Sequence, residues 1–174
     1  MVLLLKNSLI YSNMLKSKNV TLTDFYIKNN ASSLIIPLIS LNNKLFGTLM
    51  ENIIIEYIDA KKSKLSSYDY LYNDIKIEQK SSRYWRSIND FKWQHVMLKH
   101  DYHMLLLIGI DFNDIKIYAI SKKNIINLFN DKKIKVQGKS TDGQGLWFSR
   151  KSIKLHLTKI NNLSDLDTFI SNNI

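Results

Sequence analysis

The chain has 174 residues, with 25 Lys and Arg against 15 Asp and Glu, a formal net charge of +10. That length carries one domain with a real core, and the 45% apolar fraction is that of a globular chain, not a disordered one. The absence of Cys excludes a disulfide framework, a Cys-ligated zinc site and thiol catalysis.

The cationic excess points to a polyanionic partner. Its weight is reduced by a composition rich in Ile, Asn and Lys with only three Ala, five Gly and one Pro, since biased coding alone enriches Lys. No apolar run is as long as a membrane span, and the run Met1 to Leu5 stops at Lys6-Asn7, short of a signal-peptide core. The expectation is a protein that acts inside the cell, is not secreted and has no membrane partner. No Pro/Gly/Ser-rich linker divides the chain, so residues 1–174 read as a single domain.

In chain order, Thr21 or Thr23 can cap a short helix through Tyr26 and Ile27. Asn42 or Asn43 can cap a longer one to about Lys62, with Phe46, Leu49, Met50, Ile53, Ile54, Tyr57 and Ile58 on one broad face. Glu51 falls at the edge of that face, beside Ile58. Two β-rich arms then flank Asn73-Asp74, residues that tolerate the left-handed backbone of a two-residue hairpin loop. That loop sets Tyr72 against Ile75, Tyr70 against Ile77 and Asp69 against Glu78. Tyr70, Tyr72, Ile75 and Ile77 then share one face, and Asp69, Glu78 and Lys80 the other.

Asn89 or Asp90 can cap a short helix through Trp93, Val96 and Met97. A second hairpin has arms His103 to Asp111 and Ile115 to Ser121, the run Met104 to Ile110 reading as a strand buried on both faces. A helix over Lys122 to Asn130 follows, then Ile134 to Lys139, a glycine-bearing loop (Gly138, Gly143, Gly145), Trp147-Phe148 and the basic stretch Arg150 to Lys154. Asn162 or Ser164 opens a last helix through Phe169. The expected fold is α/β, a mixed, mostly antiparallel central sheet flanked by helices.

Two carboxylates facing one another across a strand pair repel, unless one is protonated or a cation lies between them. Mg²⁺ takes oxygen ligands and keeps several waters, so two carboxylates and a phosphate oxygen suit it. Lys80 beside such a site can hold an attacking water and offset phosphoryl charge. The plainer reading is a solvated sheet face. Arg83-Tyr84-Trp85-Arg86 combines cations and aromatics suited to phosphate contact or base stacking, although Tyr84 or Trp85 could equally be core. His100 and His103, flanking Asp101 and Tyr102, are a weaker metal candidate.

Asp69, followed after eight residues by Glu78-Gln79-Lys80, resembles the Asp…(Asp/Glu)-x-Lys signature of the PD-(D/E)XK nuclease superfamily. The upstream helix bearing Glu51 after Gly47 resembles the first helix of that restriction-endonuclease-like fold. Residues 42–121 match its order of helix, strand, strand, helix, strand. Tyr68 stands where the family often has Pro. Gln94 matches a Gln of the RecB-type relatives, but Leu98 replaces the Tyr expected after it.

The resemblance implies a restriction-endonuclease-like core over about residues 42–130, with residues 131–174 as a packing and DNA-contacting extension. It implies a Mg²⁺-dependent endonuclease (Mn²⁺ may substitute) acting on duplex or branched DNA, and a homodimer with one site per strand. Asp69, Glu78 and Glu51 would be metal ligands and Lys80 the water-positioning residue. Arg83, Arg86, Gln94, Arg150 and Lys151 would contact DNA. A type II restriction enzyme leads, with a homing endonuclease or a junction-resolving enzyme of the same fold close behind. A basic nucleic-acid-binding module without catalysis is the alternative of another class.

Overall fold

The computed structural model describes residues 20–137 and 145–174. Its helices are α1 (Val20–Lys28), α2 (Ile36–Ile39), α3 (Asn43–Ile58), α4 (Lys122–Asn130) and α5 (Leu163–Asn173), with a 3₁₀ turn at Lys151–His156. Its strands are β1 (Lys61–Lys62), β2 (Tyr70–Tyr72), β3 (Ile75–Trp85), β4 (Asp90–Val96), β5 (Met104–Ile110), β6 (Ile115–Ser121), β7 (Lys135–Val136), β8 (Leu146–Ser149) and β9 (Thr158–Ile160). They form one sheet in the order β7-β8-β4-β3-β5-β6-β9, with β2 also lying on β3 and β1 on β2. The β3–β5 pair is parallel and every other pairing among the described residues is antiparallel. The fold is therefore a mixed α/β one, with a mostly antiparallel sheet flanked by helices.

β5 sits at the centre, buried at all seven residues. Met104, Leu106, Ile108 and Ile110 point to one face, where Met50, Ile53 and Ile54 of α3, Tyr26 of α1 and Phe169 of α5 cover them. Leu105 and Leu107 point to the other, against Trp93, Phe148 and Ile125 and Leu128 of α4. The two-faced apolar run is the signature of a strand between two layers. Buried polar groups are partnered across layers. The Tyr26 hydroxyl donates to the Ile110 carbonyl (2.6 Å) and accepts from the Tyr84 amide (2.7 Å), and Trp93 Nε1 donates to the Ile108 carbonyl (2.9 Å).

The first hairpin has the register read from Asn73-Asp74. Tyr72 pairs with Ile75 and Tyr70 with Ile77, and both loop residues are left-handed (φ 47° and 64°). The second hairpin pairs Ile110 with Ile115 across a loop in which Asp111 accepts from the Asn113 and Asp114 amides. α4 has the expected bounds, capped by Ser121, and Asn162 caps α5.

Three expectations are corrected. α3 is capped by Asn42 but stops at Ile58 and not Lys62, because Asp59 turns left-handed (φ 53°) and frees Lys61–Lys62 to pair with β2. The stretch expected as a helix from Asn89 or Asp90 is strand β4. His95 has φ 59° and marks a bulge that shifts the pairing with β8 between Trp93 and Val96. The bulge puts both residues in the core three positions apart, which imitates helical spacing. The element order over residues 42–121 is accordingly one helix followed by the six strands β1 to β6, without the helix that the family pattern places before its last strand.

Gly109 of β5 lies under the Phe91 ring, where an added Cβ would stand 2.6 Å from the ring, whereas a Cβ at Gly47 in α3 meets nothing within 4 Å. Gly109→Ala is expected to lower unfolding stability by about 1–3 kcal/mol through overpacking. Gly47→Ala is expected to raise it by about 0.5–1 kcal/mol by removing helix-interior glycine. Denaturant titration of both variants checks the pair.

Candidate active site and its cleft

β3 is eleven residues long and has two different neighbours on one edge. β2 covers Ile75 to Ile77 and β4 covers only Tyr84 and Trp85. Between them the edge has no strand beside it, and a cleft of about 1150 Å³ opens there. α1 and α3 line one side with Phe25, Phe46 and Glu51, and the β3–β4 hairpin lines the other with Lys80, Trp85, Arg86, Lys92, Gln94 and His95.

Asp69 stands at the start of this gap. The continued ladder pairing of Asp69 with Glu78 does not form, because the Asp69 amide donates to the Ile77 carbonyl (2.9 Å) and β2 begins one residue later. A carboxylate oxygen of Asp69 instead accepts from the Gln79 amide (2.6 Å). Burial, then the charge of Glu78, raise the Asp69 carboxyl to about 6, against the lowering pull of the Gln79 amide and Lys80. The two carboxylates thus share a field without facing each other in register.

Glu78 is 3% exposed, and Lys80 Nζ lies 2.5 Å from its Oε1. His100 Nδ1 is 3.9 Å from the same oxygen, beyond hydrogen-bond reach, and that nitrogen and the Tyr102 hydroxyl are buried without partners. Burial, followed by the charge of Glu78, raises the Tyr102 hydroxyl well above its ordinary range. Glu51 lines the cleft and pairs with Lys62 (2.8 Å). Gln79, between the two motif residues, accepts from the Tyr70 hydroxyl (3.0 Å), which fixes β3 against the hairpin.

Among the described residues no three His, Cys, Asp or Glu side chains gather as a metal-binding group. Asp69 and Glu78 alone are a two-carboxylate donor set of the kind a hard cation completes with waters and phosphate oxygens. Asp101 is instead taken by Lys76 (2.5 Å), and His103 Nδ1 accepts from the Lys76 amide (3.2 Å).

The five expected DNA contacts divide. Arg86, exposed, and Gln94, half-buried, line the cleft, Gln94 from a strand and not from a helix. Arg83 also lines it but is buried. Its guanidinium lies 3.9 Å from the Phe46 ring centre and donates to the Leu41 carbonyl (2.5 Å) and Asn43 Oδ1 (3.0 Å), and burial lowers it to about 10. Arg150 Nε donates to Asp90 Oδ1 (2.8 Å) and the Lys151 amide to Asp90 Oδ2 (2.7 Å). These two residues anchor the 3₁₀ turn on a buried carboxylate. The loop at Gly138 and Gly143 lies outside the described residues.

Lys92 was not legible as a site residue while 90–96 read as a helix. As a strand, the stretch points Phe91 and Trp93 inward and Lys92 and Gln94 outward. Lys92 Nζ lies 4.9 Å from the Trp85 ring centre and 3.8 Å from that of Trp147.

No protein-family model matches the chain, and no curated protein matches it. Among solved structures, a restriction endonuclease in complex with substrate DNA is similar over 77% of this chain and 73% of that one, with a TM-score of 0.41 and 14% identity. That similarity is too distant to assign a family or an activity. No helix among the described residues is long and apolar enough to cross a membrane.

The raised Asp69 carboxyl has a stability consequence. Between pH about 4 and about 6 the folded chain binds more protons than the unfolded one, so stability falls as pH rises through that window and levels off above it. Asp69→Asn keeps an acceptor for the Gln79 amide and removes the titration. With chelator present, this variant is expected to match wild type near pH 4 and to be more stable by about 1–2 kcal/mol at pH 7–8. Thermal unfolding across pH checks this, and a gain that is equal at all pH values would contradict it.

Proposed function

We propose that the protein is a divalent-metal-dependent endonuclease that hydrolyses phosphodiester bonds in DNA, in the manner of the type II restriction enzymes whose sequence signature it resembles. The observation that carries this reading is the Asp69–Glu78–Lys80 set at the open edge of β3, two carboxylates and an ammonium of which Asp69 and Lys80 line a cleft with cationic walls. Asp69 and Glu78 would hold Mg²⁺, with Mn²⁺ able to replace it and Glu51 as an auxiliary ligand. When bound, the cation lowers the pKa of a coordinated water and offsets charge on the phosphoryl group.

The chain's own residues do the rest. Water attacks phosphorus in line with the departing sugar oxygen and gives up a proton to solvent as the new P–O bond forms, while the sugar oxygen leaves as its own P–O bond breaks and takes a proton from solvent. Lys80, held at Glu78, aligns that water and offsets negative charge building on the phosphoryl oxygens. Arg86 and Lys92 draw the phosphate backbone along the cleft, and the buried Arg83 adds positive potential without leaving its partners. Cutting both strands of a duplex requires two such centres, so a homodimer belongs to this reading. Homing and junction-resolving endonucleases share the chemistry and differ in substrate.

One observation favours a second reading, a basic nucleic-acid-binding module without catalysis. Glu78 is buried and already satisfied by Lys80, and among the described residues no third acidic or imidazole side chain gathers with Asp69 and Glu78 as a metal-binding group.

Supercoiled plasmid incubated with the protein in Mg²⁺ or in EDTA separates the two. Cleavage is expected in Mg²⁺ alone, and Asp69→Ala and Lys80→Ala are each expected to lose it by about a hundredfold or more while still binding DNA. Binding without cleavage on duplex, branched and single-stranded DNA establishes the second reading instead.

A further inference from the structure

The cleft has two walls of different chemistry. On the β3–β4 side, Trp85 is 39% exposed, unlike Trp93, which is buried in the core. Trp147 of β8 is half-buried, and the Lys92 ammonium lies between the two indoles. This places an exposed indole and a positioned cation on the same lip, next to exposed Arg86. Arg83 of β3, whose guanidinium reaches across to Asn43 and Leu41, carries a charge that pairs with no carboxylate among the described residues. Its guanidinium donates to a carbonyl and an amide oxygen, and its Nε is buried without a partner among the described residues. Phosphates suit the cations, and the flat π-faces of bases suit the indole.

A base inside a duplex is stacked on its neighbours, so its face is out of reach of a side chain. The Trp85 face can be used only by a base that has left a stack. The cleft, about 1150 Å³, has room for a strand's backbone and a few bases. Asp69 and Lys80 line the cleft, and Glu78, 3% exposed and outside that lining, adjoins it through its pair with Lys80.

We propose that the cleft takes a nucleic-acid strand with unpaired bases, as at an end, a flap or a junction arm, with Trp85 as the residue on which a base stacks. This deepens the nuclease reading by naming the substrate class, and it rests on the same cleft. The binding test below is run without metal, so its failure is distinct from a failure to cleave.

Full-length protein in EDTA is titrated against three labelled probes of one mixed sequence: single-stranded DNA, single-stranded RNA and blunt duplex DNA. At least one single strand is expected to bind more tightly than the duplex, and the tighter of the two identifies the sugar. Trp85→Ala is expected to weaken single-strand binding roughly 5- to 100-fold and leave duplex binding unchanged, with Trp85→Phe recovering most of the loss. Single-strand titration is also expected to quench indole fluorescence in wild type more than in Trp85→Phe. Duplex binding as tight as that of both single strands overturns the proposal. So does undiminished single-strand binding by a Trp85→Ala protein whose thermal unfolding matches wild type.

Discussion

The length mismatch along one edge of β3 governs the rest of the molecule. An eleven-residue strand has short neighbours at its two ends and none in between. Buried backbone N–H and C=O groups must find partners, and a sheet edge left bare invites another chain. Side chains take the place of the missing strand. Asp69 accepts from the Gln79 amide, and Ser82 Oγ accepts from the Lys92 amide where β4 starts to diverge. The candidate acid Asp69 is therefore aimed by an edge-satisfying hydrogen bond, and the cleft exists because nothing larger seals that edge.

Local chemistry was the legible part of the sequence. Asn73-Asp74 announced a tight left-handed turn, Asn42, Ser121 and Asn162 announced helix starts, and the continuous apolar run Met104 to Ile110 announced a strand with two covered faces. The motif Asp69, Glu78 and Lys80 was legible by spacing. Long-range events were not. The bulge at His95 re-phases β4 and makes a strand look helical, and the parallel β3–β5 register depends on no local signal. The departure of Asp69 from the ladder was hidden because it occurs one residue beyond the last regular pair, Tyr70 with Ile77.

Charge in the sequence and charge at the cleft are different quantities. The formal +10 counts every Lys and Arg alike. In the fold, Arg150 is held by buried Asp90, Lys76 by Asp101 and Lys116 by Asp111. At the cleft, Lys80, Arg83, Arg86 and Lys92 stand against Glu51 and Asp69. Arg83 is the unusual member, buried and paired with no carboxylate among the described residues. An ion pair there would cancel its field, whereas carbonyl and amide acceptors keep the guanidinium solvated and its potential intact. A lysine could not make the same planar, two-sided set of bonds while lying on the Phe46 ring.

The far wall of the cleft depends on the same logic of imperfect strands. His95 is left-handed, and Gly145 at the entry to β8 is left-handed too, with φ 56°. A Cβ on Gly145 would come within 2.9 Å of the His95 backbone, so the bulge in β4 and the glycine beside it require each other. Without the bulge, strict alternation would turn Val96 out of the core and cancel the register shift through which β8 follows β4. Trp147 belongs to β8, which sets Phe148 against Trp93 and Ser149 against Lys92 just before the register shift, and its ring centre lies 3.8 Å from the Lys92 ammonium. The indole–ammonium–indole arrangement thus stands on the outer face of a strand whose Phe91 and Trp93 lie in the core, and it ties the wall of the cleft to that core.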